Sequence, residues 1–75
     1  NAIAPGLVKT DFARALWEDE KLRKDREGAT PLRRIGAPRD IGGIAVFLAS
    51  DESRWVTGIL LPIDGGLVAL RAWPR

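Results

Sequence analysis

The sequence predicts an α/β fold, one βαβ portion of a larger parallel sheet carrying a helical insertion. Three observations predict it. An apolar start, Ala2-Ile3-Ala4, is halted by Pro5-Gly6. A helical apolar period runs through residues 37–50. A short, continuously apolar run, Ile59 to Ile63, follows it. Strand, insertion, helix and strand in that order make a βαβ unit, which is right-handed with parallel strands. Two strands and one long helix cannot close a core. The rest of an α/β sheet is therefore the expected partner.

Size points the same way. A chain of 75 residues buries only roughly 60% of the surface it exposes when unfolded. It has no Cys and no His, so neither a disulfide nor a zinc site can staple it. Such a chain is marginal alone and is expected to lean on another segment or another copy of itself.

Residues 1–10 read as the end of a buried strand, Ala2 to Ala4, and a loop at Pro5-Gly6. Residues 11–34 are highly charged. Asp11 can cap a helix whose apolar face holds Phe12, Ala15 and Leu16. From Glu18 to Glu27, acid-first pairs such as Asp19–Arg23 and Glu20–Lys24 support a solvated helix, ended by Gly28, Thr30 and Pro31. Leu22 is its one large apolar residue, so the segment should be loosely attached.

Residues 37–50 give the clearest helix. Pro38 suits its first turn, and Ile41, Ile44, Ala45 and Leu48 fall at i, i+3, i+4 and i+7. Val46 and Phe47 widen the apolar surface, which predicts cover on more than one side. Gly42 and Gly43 each cost up to about 1 kcal/mol against Ala in a helix. Two adjacent glycines there predict another backbone lying close. After a polar turn at Asp51-Glu52-Ser53, residues 59–63 read as a strand buried on both faces, with Pro62 favouring an edge position. Asp64-Gly65-Gly66 is a turn that Asp64 can cap or hold. Residues 67–75 form a tail without a clear pattern.

The balance of 12 basic and 10 acidic residues leaves a net charge of only +2, and the charges are interleaved. No basic stripe for nucleic acid results. No apolar run approaches a membrane span, and none of these residues is expected to form a signal peptide. The sequence opens at Asn1 and contains no Met, so the natural start is expected upstream. The absence of Cys fits a cytoplasmic protein.

Four motifs carry a resemblance. Asn1-Ala2-Ile3-Ala4-Pro5-Gly6-Leu7-Val8-Lys9-Thr10 resembles the N-x-x-x-P-G-x-x-x-T segment of short-chain dehydrogenases/reductases. Arg34-Ile35-Gly36-Ala37-Pro38-Arg39-Asp40-Ile41 resembles the R-x-G-x-P-x-[DE]-[IV] opening of that family's last long helix. Phe47-Leu48-Ala49-Ser50-Asp51 is similar to its end. Val56-Thr57-Gly58 with Ile63-Asp64-Gly65-Gly66 is similar to the surroundings of its seventh strand. All four occur in order with family-like spacing.

The resemblance implies the C-terminal βαβ portion of a Rossmann-type doubly wound sheet, with residues 11–34 as a substrate lid. Ligands of such sheets lie beyond the carboxyl ends of the strands, where Pro5-Gly6 sits. Gly6 would let the backbone approach a flat ligand. The resemblance implies NAD or NADP as cofactor, bound here by Pro5, Gly6, Val8 and Thr10. The Val8 backbone would meet the nicotinamide carboxamide, and the Thr10 hydroxyl would meet the carboxamide or a phosphate. Leu7, Phe12, Leu16 and Trp17 would face an alcohol or carbonyl substrate, or else pack on the core of the parent protein. Residues 38–49 and 59–63 would pair subunits in a homo-oligomer. Ala4 to Thr10 and Ala15-Leu16-Trp17 are similar to carbonyl- and retinal-reducing members.

The chain departs from the family pattern in its chemistry. The family's catalysis needs a Tyr, a Lys four residues on, a Ser and often an Asn, and the chain has no Tyr. No Gly-rich phosphate turn follows a strand; Gly42-Gly43 and Gly65-Gly66 lie in other contexts. Hydride transfer is therefore expected of a parent protein and not of these residues alone. A module retaining only self-association, and a small unrelated α/β domain, are the alternatives.

Overall fold

The computed structural model describes residues 1–70. Strand β1 (Ala2–Pro5) and strand β2 (Leu60–Ile63) form a two-stranded parallel sheet, with Ala2 opposite Leu60 and Pro5 opposite Ile63. Helices α1 (Arg14–Trp17), α2 (Glu20–Ala29) and α3 (Pro38–Ala49) lie between the strands, and α4 (Leu67–Leu70) follows β2. The predicted α/β order and parallel pairing are both present. Asn1 seals the far end of the sheet: its side chain donates to the Val56 carbonyl and accepts from the Ile59 N–H, each at 3.2 Å.

The insertion folds differently in detail from its sequence reading. Asp11 does not cap α1. It pairs with Arg14, while the Thr10 hydroxyl oxygen accepts the Ala13 N–H at 3.2 Å. Asp19 does not pair with Arg23 either. Its carboxylate caps α2 by accepting the Leu22 N–H at 3.1 Å, and Arg23 donates to the Trp17 carbonyl. A side-chain oxygen just before a helix satisfies one of its orphan donors, which an exposed ion pair cannot match in value. The predicted Glu20–Lys24 pair does form, at 2.8 Å. Helix α2 runs through Gly28 and stops at Thr30, whose hydroxyl donates to the Arg26 carbonyl.

Helix α3 has Pro38 in its first turn, and Asp40 accepts the Ala37 N–H at 2.7 Å. The expected close backbone at Gly42 and Gly43 is not found among the described residues: a Cβ on either meets nothing within 4 Å. Cover on more than one side is not found there either, for Val46 is 70% exposed. β2 starts one residue later than predicted and is not buried, its residues alternating between exposed and half-buried. Nothing described lies against its second face. Residues 67–70 of the predicted tail are helical because Asp64 accepts the Gly66 and Val68 N–H groups; the other tail residues lie outside the described ones.

No described apolar residue is fully buried. The radius of gyration is 13.8 Å, against roughly 11 Å for a compact chain of this length. The accessible surface is 5845 Å², against about 4,500 Å² for a compact monomer of this mass. The elements are in place without a buried core among the described residues. No described helix is long and apolar enough to cross a membrane.

Candidate functional site

The loop Pro5–Thr10 leaves the carboxyl end of β1 and is fixed by backbone pairing. The Gly6 N–H donates to the Ile63 carbonyl at 3.0 Å, which extends the strand pairing by one residue. Beyond it, Val8 and Gly36 form a parallel bridge. The Gly36 N–H donates to the Leu7 carbonyl and the Lys9 N–H to the Gly36 carbonyl, each at 2.9 Å. In a parallel bridge of this kind the flanking groups make the bonds, and the central residue turns its own N–H and C=O to the opposite edge. The Val8 carbonyl accepts the Thr10 N–H at 2.8 Å. The Val8 N–H has no protein partner among the described residues.

Gly6 has a packing role that its sequence position does not suggest. A Cβ there would lie 2.9 Å from the Cβ of Asp64 and 3.0 Å from its Cα. The space beside Gly6 on its Cβ side is taken by the chain itself, so the missing side chain admits Asp64. Gly65, in the turn after β2, repeats the pattern. It has φ +66, and a Cβ on it would meet Thr30 at 2.7 Å. The Leu32 N–H donates to the Gly65 carbonyl at 3.1 Å. Thr30, read from sequence only as a helix stop, is 3% exposed and docks the far end of the insertion on the turn after β2.

The insertion's near end is held by Trp17. Its indole N–H donates to the Thr10 carbonyl at 2.7 Å, and the Lys9 ammonium stands 4.9 Å from the ring centroid. Among the four residues expected to face a substrate, Leu7 and Leu16 come together in a groove of about 600 Å³ between α1, α2 and α4. Leu22, Ala29, Leu67 and Val68 complete its apolar lining, and Asp25 and Arg26 supply its charge. Phe12 is fully exposed, and Trp17 lies against Lys9 and Thr10 outside that groove. Leu67 and Val68 escaped the sequence reading. Asp64 followed by Gly65-Gly66 and four apolar residues was the available signal, a capping Asp before a short helix.

A second, smaller cavity of about 170 Å³ lies behind the Val8–Gly36 bridge and shares Leu7, Arg26 and Leu67 with the groove. Arg34 closes one side of it with a two-pronged ion pair to Asp40, at 2.8 and 3.1 Å. That hydrogen bond, and after it the Ala37 N–H, holds the Asp40 carboxyl well below the usual carboxylate range. The same pair raises the pKa of Arg34. Among the described residues no cluster of His, Cys, Asp or Glu could hold a metal ion. The arrangement offers a backbone donor and acceptor at Val8 and, next to it through Leu7, an apolar groove that carries one acidic and one basic residue, Asp25 and Arg26.

Residues 1–68 match the family model described as enoyl-(acyl carrier protein) reductase. The chain is 49% identical over 67 residues to L-rhamnose-1-dehydrogenase of Scheffersomyces stipitis, covering 89% of this chain and 26% of that one. It is 37% identical, with the same coverage, to the 3-oxoacyl-(acyl-carrier-protein) reductase MabA of Mycobacterium tuberculosis. Its structure superposes with a TM-score of 0.86 on a candidate 2-deoxy-D-gluconate 3-dehydrogenase of Agrobacterium tumefaciens with bound NADP. That pair is 42% identical and covers 92% of this chain and 28% of the other. The chain thus spans about a quarter of the length of the curated relatives it matches.

Proposed function

The chain belongs to the short-chain dehydrogenase/reductase family, and from that membership we propose that the protein carrying it transfers hydride between NAD or NADP and an alcohol or carbonyl substrate. The observation that carries this reading is the free backbone edge at Val8. Its N–H and C=O stand side by side, turned away from Gly36. A primary carboxamide, as on a nicotinamide ring, presents the complementary acceptor and donor. The Val8 carbonyl already accepts one bond, and its second lone pair can take another.

Val8 therefore orients the ring, and the Pro5-Gly6 turn fixes where Val8 stands. The Thr10 hydroxyl oxygen accepts from Ala13, and its proton remains to be donated to the carboxamide or a phosphate. The nicotinamide, when bound, supplies the hydride-accepting carbon. Leu7 and Leu16 exclude water from the substrate side of the groove, whereas Phe12 and Trp17 do not line it. The acid–base group that moves the substrate's proton belongs to other parts of the protein, since this chain has no Tyr. The 75 residues by themselves carry no hydride transfer in this reading. The exposed faces of residues 38–49 and 59–63, with Val46 and Leu60 outermost, support homo-oligomer pairing there.

The test uses the full-length protein, NAD or NADP, and a panel of alcohols and carbonyls, followed by the absorbance of reduced nicotinamide. Val8→Pro removes the free N–H and leaves the bonds at Leu7 and Lys9 that hold the loop. It is expected to raise KM for the cofactor roughly tenfold, the worth of one buried hydrogen bond. Wild-type protein that binds neither cofactor defeats the proposal.

A further inference from the structure

We propose that the substrate of this groove carries an anionic group, a carboxylate or a phosphate, and that Arg26 binds it. The proposal rests on the hydride-transfer reading and names the substrate class of the same site. Its starting point is the charge pattern around the insertion. Arg14 pairs with Asp11 and Glu18, and Arg34 pairs with Asp40. Arg23 donates to the Trp17 carbonyl and Arg33 to the Gly28 carbonyl. Arg26 makes no ion pair and no side-chain hydrogen bond among the described residues. Its own helix provides none: the positions three and four away are Arg23, Ala29, Leu22 and Thr30.

Arg26, an exposed residue of α2, lines both cavities. The groove, at about 600 Å³, is within the range of roughly 300–1,000 Å³ of small-molecule sites. Its apolar lining suits a carbon frame. The backbone of Arg26 is held, because its carbonyl accepts the hydroxyl of the buried Thr30 at 2.6 Å. Nearby carboxylates do not neutralise its guanidinium. Asp40 is committed to Arg34 and the Ala37 N–H, and Asp64 to the Gly66 and Val68 N–H groups. Asp25 is the one remaining carboxylate of the groove, and it makes no salt bridge to Arg26. A guanidinium binds a carboxylate or phosphate through two parallel hydrogen bonds, which makes Arg26 a selector of charge and of geometry.

Two measurements on the full-length protein test this. The first compares kcat/KM for matched alcohols: a hydroxy acid against its amide, and a phosphorylated alcohol against the free alcohol. The charged member is expected to be preferred, and the pair showing the preference separates carboxylate from phosphate. Arg26→Gln should reduce that preference roughly 10- to 100-fold, chiefly through KM, with Arg26→Lys in between. Equal use of charged and neutral members by the wild type, or a preference that survives Arg26→Gln, overturns the proposal. The second measures thermal unfolding with malonate or inorganic phosphate, which needs no turnover. A rise in Tm with one of them that vanishes in Arg26→Gln is expected. No Arg26-dependent rise overturns the proposal, while failure of hydride transfer with every alcohol counts only against the reading it rests on.

Discussion

The Pro5–Lys9 loop and helix α3 (Pro38–Ala49) differ in what surrounds them. The loop is packed against its own chain at van der Waals limits: Gly6 on Asp64, Val8 on Gly36, and Gly65 of the adjoining turn on Thr30. Helix α3 carries a comparable density of glycine, yet Gly42 and Gly43 face open space and Val46 is exposed. The candidate cofactor edge is thus built from close contacts between segments that this chain itself supplies. The helix presents an apolar surface that the described residues leave uncovered. Backbone pairing between segments can fix geometry without a core, whereas burial of an apolar face needs a second face.

Substitution at glycine should break this contrast most sharply if it is wrong. Gly6→Ala forces a Cβ into Asp64 and should cost the full-length protein about 1–3 kcal/mol, read from urea unfolding midpoints. Gly43→Ala places its Cβ in open space and should change stability by no more than about 1 kcal/mol, in the stabilising direction. A cost at Gly43 equal to that at Gly6 would mean that a backbone outside the described residues lies on this helix.

Trp17→Phe tests the tie between loop and insertion. It deletes the bond to the Thr10 carbonyl and should loosen α1 by about 1 kcal/mol. Faster amide hydrogen exchange at Leu16 and Glu18 is the readout, and unchanged exchange would show that Trp17 is not the tie.

The acid limb of stability sharpens the loop side further. Arg34 holds Asp40 ionised below the usual carboxylate range, so the folded value lies under the unfolded one. The pair's contribution is complete above the unfolded value of roughly 3.9 and is lost as pH falls through the folded one. Arg34→Met should therefore flatten the loss of stability on acidification while leaving the protein less stable at neutral pH. Parallel acid limbs in the two proteins would remove Asp40 from the account. The smallest effect belongs to the solvated face of α2: Lys24→Ala should shift stability by less than about 0.5 kcal/mol, since its pair with Glu20 is exposed on both sides.

Much of this was legible in the sequence where a single local rule decides. Pro38 in a first turn, the period of Ile41, Ile44 and Leu48, and the stop at Pro5-Gly6 each depend on neighbours a few residues away. Asp11 does not cap α1 because the helix starts only at Arg14, with Ala13 at its N-cap position and no side-chain cap bond. Helix α4 was missed because four residues are too few to display a period. Arg26 was hidden in a charged run in which every residue looked solvated, and only its lack of a partner and its place in the lining of both cavities distinguish it.

The sequence by itself determined the α/β order, the parallel pairing it requires, the family, and the absence of a Tyr, because these follow from residue types and short spacings. Tertiary structure alone decided that Gly6 makes room for Asp64, that Thr30 anchors the insertion, that Leu7 and Leu16 share a groove while Phe12 and Trp17 stay out of it, and that α3 is left bare. Those outcomes depend on contacts between residues far apart in the chain, where distance in space is not a function of spacing in sequence.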